Sequence, residues 1–389
     1  MIKTGLARLS QGEAHAFLKG RRLGLLTHQA AVLPDFTPAH VVLKELFPRE
    51  LRLLFAPQHG LFGEAQANMI PSADFVEDET GLGVVSLYGP RLAPGAEHLR
   101  EIDVLVVDLQ DVGCRVYTYI WTLFLALKAC EKEGVEVLVL DRPNPIGGRR
   151  EGPLLEEEFR SFVGLAPLPL RHGLTIGEVA LYFRAFLGLS IPVHVLPLEG
   201  WRRSMLFPET GLPWVPPSPN MPSFDTALVY PGQVLLEGTN VSEGRGTTRP
   251  FEVFGAPWLV EEKVLADLAD LPGVSWRRIQ FVPWYDKWAG KTCRGLRLFV
   301  LDESGYRSVW TTLLLLDTMA RNFAAFSWRL PPYEYQWHKL PFDIIVGTKN
   351  IREILGRGER TLLKEILETG LAEFEEEIRP FFLYQDAEE

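Results

Sequence analysis

The sequence predicts an α/β protein with a parallel-sheet domain in its first half and a smaller α+β domain behind it. Two observations carry that prediction. Short apolar runs rich in Val and Leu alternate with helical segments through residue 140, the rhythm of strands buried on both faces of a parallel sheet. Beyond Trp258 the pattern changes to helices and strands of mixed burial, with no internal repeat. We place the domains at 1–228 and 229–389, the second closing a cleft over the first.

Strands are expected at 23–26, 51–55, 104–107 and 135–140. Helices are expected at 40–47 and at 120–132, the latter stopped by Gly134 as a C-cap. Thr175 and Glu178 have capping-box spacing, so a helix starts there, and a strand follows at 193–196. From Trp201 to Trp258 the chain is rich in Pro, Trp and Gly and reads as long, ordered functional loops. After it come a helix at 260–271, strands at 276–282 and 296–301, and helices at 308–322 and 351–376.

Of the 389 residues, 47% are hydrophobic and 23% charged, a globular composition. A net charge of −10 argues against broad nucleic-acid binding. Cys114, Cys130 and Cys293 are too few and too scattered for a disulfide framework or a paired metal site. The N-terminus lacks the pattern of a signal peptide, and no apolar run is long enough to span a membrane, so the cytoplasm is the expected location. A homodimer through the Trp- and Pro-rich surface is a further expectation.

Polar residues collect just after each of the four strands, the rim where open α/β sheets bind ligands. After the second strand come Gln58, His59 and Gly60, with Glu64 close behind. His59 can serve as acid or base near neutral pH, and Glu64 as a general acid if burial raises its pKa. After the third come Asp108, Gln110, Asp111 and Arg115, then Tyr117. Arg115 either forks onto a substrate carboxylate or pairs with one of those aspartates. Tyr117 either stacks on a sugar or packs in the core. Asn144 follows the fourth strand. Arg171 and His172 precede the helix beginning at Thr175, a position suited to anions. A polar loop supplies Asn240, Glu243 and Arg245 between glycines, without the Lys-Ser/Thr ending of a phosphate loop. No cofactor is expected, because Thr27-His28-Gln29-Ala30 occupies the place of a dinucleotide fingerprint. A metal-dependent hydrolase stays open as an alternative, with His59, Asp108, Asp141 and His172 as the groups able to converge; no zinc motif supports it.

These motifs resemble the exo-β-N-acetylmuramidase family (NamZ type). The matching stretches include 108–113 (Asp-Leu-Gln-Asp-Val-Gly), 141–145 (Asp-Arg-Pro-Asn-Pro), 171–173 (Arg-His-Gly), 217–220 (Pro-Ser-Pro-Asn) and 237–247 (Glu-Gly-Thr-Asn-Val-Ser-Glu-Gly-Arg-Gly-Thr). The resemblance implies a Rossmann-like first domain and removal of terminal β-linked N-acetylmuramic acid from peptidoglycan fragments. It also implies a catalytic glutamate immediately before the His-Gly pair, where this chain has Gln58. An amide is no acid, so Glu64 or Glu243 takes the role, or the substrate differs, or the chain binds sugar without cutting it. On this reading Glu64 is the preferred acid, with His59 and Glu243 assisting. Gln58, Asp108, Gln110, Asp111, Tyr117, Asn144, His172, Asn220 and Asn240 line the sugar site. Arg115, Arg171 or Arg245 holds the lactyl carboxylate. The absence of a visible export signal points to recycling of internalised fragments.

Overall fold

The computed structural model describes residues 1–66 and 69–385. Its main sheet contains β1 (Leu23–Thr27), β2 (Leu51–Ala56), β3 (Phe75–Val76), β4 (Gly83–Ser86), β5 (Val104–Asp108), β6 (Glu136–Leu140) and a seventh strand, Val193–Leu196. The spatial order is β3-β4-β2-β1-β5-β6 and then Val193–Leu196, parallel throughout except for the β3–β4 pair. The expected parallel strands are therefore all present. The edge strand β3 and its neighbour β4 were not predicted, being too brief to stand out.

Alternate residues of β5 and β6 feed opposite faces. Leu105, Val107, Val137 and Val139 join one core cluster, and Val104, Val106, Leu138 and Leu140 join the other. Period two over fully apolar runs thus means burial on both sides. The first cluster continues without a break into the second half of the chain, taking in Phe251, Phe254 and Leu313. Helix Tyr119–Glu133 packs in that layer, ending at Gly134 as expected; the capping box of Thr175 and Glu178 also forms.

Two expectations need correction. The segment 201–258 is not all loop: it holds the helix Phe224–Gln233, capped by Ser223 and hidden from sequence reading by Pro231, and the strand Val253–Ala256. The last predicted helix is three, Asn350–Ile354, Arg360–Glu368 and Leu371–Ile378. Gly370, at φ 76°, turns the chain between the last two in a conformation that a side chain resists.

Strands Val253–Ala256, Val274–Phe281 and Cys293–Val300 form an antiparallel sheet of three in the second half. The chain end then returns to the main sheet, where the Tyr384 hydroxyl donates to Asp141 Oδ2 at 2.5 Å.

Candidate active site

Strand order reverses between β1 and β5, so the crevice at their carboxyl ends is the usual ligand position. Here it is covered. Gln29 donates to the carbonyls of Pro216 and Pro217, and the Tyr119 hydroxyl donates to Pro217 at 2.6 Å. The open space lies to one side, over the end of β2. There Gln58, His59, Tyr117, Thr118, Asn220, Arg245 and Glu334 line a slot. Arg245, Tyr333 and Glu334 also border an adjoining hollow of about 260 Å³, completed by Glu237, Tyr285, Asp286 and Arg329.

Backbone strain concentrates here. Among non-glycine residues, His59, Phe251 and Glu334 around the slot and Met69 and Asp286 around the hollow all have positive φ. Such conformations persist where the surroundings fix them, often at functional sites.

Glu334 is 2% exposed, and burial pushes its carboxyl up to about 7. The Tyr88 hydroxyl donates to its Oε2. His59 is buried too, which pulls its imidazole down to about 4 and keeps it neutral at pH 7. Its Nδ1 donates to the Ala65 carbonyl at 2.6 Å, so Nε2 carries the lone pair. The slot therefore offers a carboxylic acid and a neutral imidazole base. Gln58 Oε1 accepts from Thr118 Oγ1 at 2.5 Å beside them.

Arg245 donates through Nη2 to Glu237 at 2.6 Å and faces Glu243 through Nε at 3.3 Å. Glu243 also meets Lys287 Nζ at 2.6 Å, and the two cations hold its carboxyl below the usual range despite complete burial. It is a buried ionic strut held between two cations. Arg329 is exposed at the rim of the hollow, and its guanidinium has no ion pair or hydrogen bond among the described residues.

Five sequence-predicted residues thus converge on the slot: Gln58, His59, Tyr117, Asn220 and Arg245. The others do not. Glu64 is exposed, so the burial that its role as acid requires is missing. Asp108 forms a buried two-point pair with Arg142, at 2.5 and 3.0 Å. The Gln110 amide donates to the carbonyls of Asp111 and Pro143. Asp111 accepts from Gly113 N–H and lies 3.0 Å from His172 Nε2, which leaves both side chains in the fold. Asn144 bonds Leu174 and Ile146, and Asn240 bonds Ala325 and Ser327. Arg171 pairs with Glu151 and donates to Ile146, at a different hollow.

Arg115 departs furthest from expectation. It is fully buried, meets no carboxylate among the described residues, and donates to the carbonyls of Pro153, Leu168, Ile345 and Val346 at 2.8–3.0 Å. Desolvation pulls its pKa down to about 10. Nor do Asp108, Asp141 and His172 converge with His59 on a metal position. Asp141 is taken by Thr175, Gly177 and Tyr384.

Sequence reading missed Glu334, Tyr88, Asp286 and Arg329, and took Glu237 only as the first residue of the 237–247 stretch. Only the proline- and aromatic-rich setting of Pro331-Pro332-Tyr333-Glu334-Tyr335 hinted at an ordered polar site.

The N-terminal model of the exo-β-N-acetylmuramidase NamZ matches residues 23–225, and its C-terminal model matches residues 228–384. The chain belongs to the NamZ family. A relative from Bacillus subtilis (strain 168), described as peptidoglycan β-N-acetylmuramidase NamZ, is 44% identical over 305 residues, covering 78% of this chain and 73% of that one. Two crystal structures of DUF1343 family proteins from Bacteroides fragilis NCTC 9343 superpose on it. One has a TM-score of 0.88 at 32% identity, and the other 0.77 at 26%; both cover 99% of each chain. The two family models between them take in every residue named above for the slot and the hollow.

Proposed function

We propose that this protein is a glycoside hydrolase that removes a terminal N-acetylmuramic acid from peptidoglycan fragments. One observation carries the reading: a buried carboxyl held near pH 7, Glu334, shares a slot with a neutral imidazole and Arg245 and also borders the adjoining hollow of about 260 Å³. Kinship with a peptidoglycan β-N-acetylmuramidase supports the substrate class.

Glu334 donates its proton to the glycosidic oxygen as the bond to the anomeric carbon breaks. Water adds to that carbon, and His59 Nε2 takes the water's proton before passing it to solvent. Glu334 then takes up a proton for the next cycle. The substrate's own acetamido group is placed to stabilise the anomeric carbon in between. Arg329, exposed at the rim, holds the lactyl carboxylate, and Arg245 stands behind it to fix Glu237 and Glu243. Gln58 and Asn220 hold sugar hydroxyls. The smaller second half closes the cleft by supplying Arg245 and Glu334 from beyond residue 228. Recycling of internalised fragments in the cytoplasm belongs to the same reading, and cell fractionation tests it.

Release of 4-nitrophenol from its β-N-acetylmuramide is the direct test. The pure protein should turn it over and prefer it to the β-N-acetylglucosaminide. No turnover of either would sink the proposal.

A further inference from the structure

Trp284 is 90% exposed, an anomaly for so large an apolar ring. Looseness is not the cause. The segment after strand Val274–Phe281 is fixed from behind by three of its residues. Trp284 N–H donates to the Gly246 carbonyl at 2.9 Å. The Lys287 ammonium donates to the carbonyls of Leu236, Thr239 and Val241, and it pairs with Glu243. The Trp288 indole donates to the Asn240 carbonyl at 2.6 Å. Gly246 sits at φ 75°, and a Cβ there would come within 2.8 Å of the Tyr285 backbone, so only glycine lets the two loops meet. An anchored segment thus holds one indole outward.

That indole borders an open groove of about 740 Å³. The groove continues the cleft: Asn220 lines both groove and slot, and Tyr285 lines both groove and hollow. Tyr285 Oη donates to Asn220 Oδ1 at 2.9 Å and accepts from Gln66 Nε2 at 2.8 Å. Phe281 and Val282 join Trp284 as apolar lining of the groove, and Gln66, Tyr285 and Asn220 supply a polar edge, which suits a pyranose with its apolar face and hydroxyl edge. If the terminal sugar occupies the enclosed end, where Glu334 and His59 lie, the rest of the chain must leave by the open end.

We infer that Trp284 is the platform for the pyranose on the leaving side of the cut bond, so that the protein selects sugar–sugar linkages. The inference rests on the hydrolase reading above. Its test compares kcat/KM for N-acetylmuramyl-β-1,4-N-acetylglucosamine with that for N-acetyl-β-muramyl fluoride, whose leaving group is too small to reach the groove. In W284A the ratio of the two should fall about tenfold, chiefly through KM, and W284F should restore most of it. An unchanged ratio overturns the inference. If the unaltered protein turns over neither compound, the hydrolase reading fails by itself. The platform is then read by calorimetric binding of the sulfur-linked disaccharide, which resists cleavage. Binding about tenfold weaker to W284A supports it; equal affinity, or no binding by the unaltered protein, overturns it.

Discussion

The hydroxyl of Tyr88 lies 3.0 Å from Oε2 of Glu334. Tyr88 follows β4 of the main sheet, whereas Glu334 comes from the second half of the chain. The proposed acid is therefore assembled only where the two halves meet. Tyr88 Oη also accepts from Met69 N–H at 2.8 Å, which fixes the phenol in place to donate to the carboxyl.

Replacing Glu334 by Gln keeps its shape and removes its proton. Turnover of the muramide should fall by about 10²–10⁴, the usual size of a general-acid contribution. Glu64→Gln should change it by no more than about twofold, because Glu64 is exposed and does not line the slot. Steady-state kinetics of the two variants decide between the carboxyls, and the reverse ranking would return the role to Glu64.

The pH profile follows from the same two groups. His59 must be neutral and is so above about 4; Glu334 must be protonated and is so below about 7. kcat/KM should therefore be bell-shaped, rising through the first value and falling through the second. The phenol's hydrogen bond favours the ionised form of Glu334 and holds its pKa down. Tyr88→Phe should accordingly move the alkaline limb to higher pH. A shift to lower pH, or an unmoved limb, contradicts this assignment.

Arg115 offers a stability test. A residue that gripped substrate would raise KM when lost and leave the fold intact. Here Arg115→Met would take the guanidinium donors from four buried carbonyls, of which Leu168 keeps the Leu155 N–H at 3.2 Å; a buried carbonyl left unsatisfied costs about 1–3 kcal/mol. We expect a loss of about 3–5 kcal/mol in denaturant unfolding, with KM unchanged in the protein that remains folded.

The parallel strands were legible because double-sided burial leaves a continuous apolar run, as in 104–107. Gln58 and His59 were legible because a strand's carboxyl end places them at the rim. Asp108 and Arg171 looked functional for the same reason, yet their partners, Arg142 and Glu151, lie 34 and 20 residues away in the chain. Sequence spacing carries no sign of such pairings. Glu334 was invisible because its raised pKa comes from burial between two halves of the fold, a tertiary property with no local pattern.

Arg329 was missed for the opposite reason: an exposed arginine looks like ordinary surface. Its lack of an ion pair or hydrogen bond among the described residues makes it a clean probe of substrate choice. Arg329→Ala should leave folding intact and reduce preference for the muramide over the glucosaminide about tenfold, the value of one charge-assisted contact to a carboxylate. Thermal unfolding together with kcat/KM on both substrates checks it. Equal losses on both would show that Arg329 does not read the lactyl group.

Gln58 completes the set. It stands where the family resemblance implies a catalytic glutamate, and its side chain is 4% exposed against Thr118. If Glu334 is the acid, the amide's task is to hold a hydroxyl, and the unaltered protein needs no carboxyl at position 58. Gln58→Glu should then raise kcat by no more than a few fold. It would place a second buried carboxyl in the slot, and two such groups resist ionising together, so the alkaline limb should also move to higher pH. Activity that appears only in Gln58→Glu, with the unaltered protein inert, would instead mark a sugar-binding protein that has lost its acid.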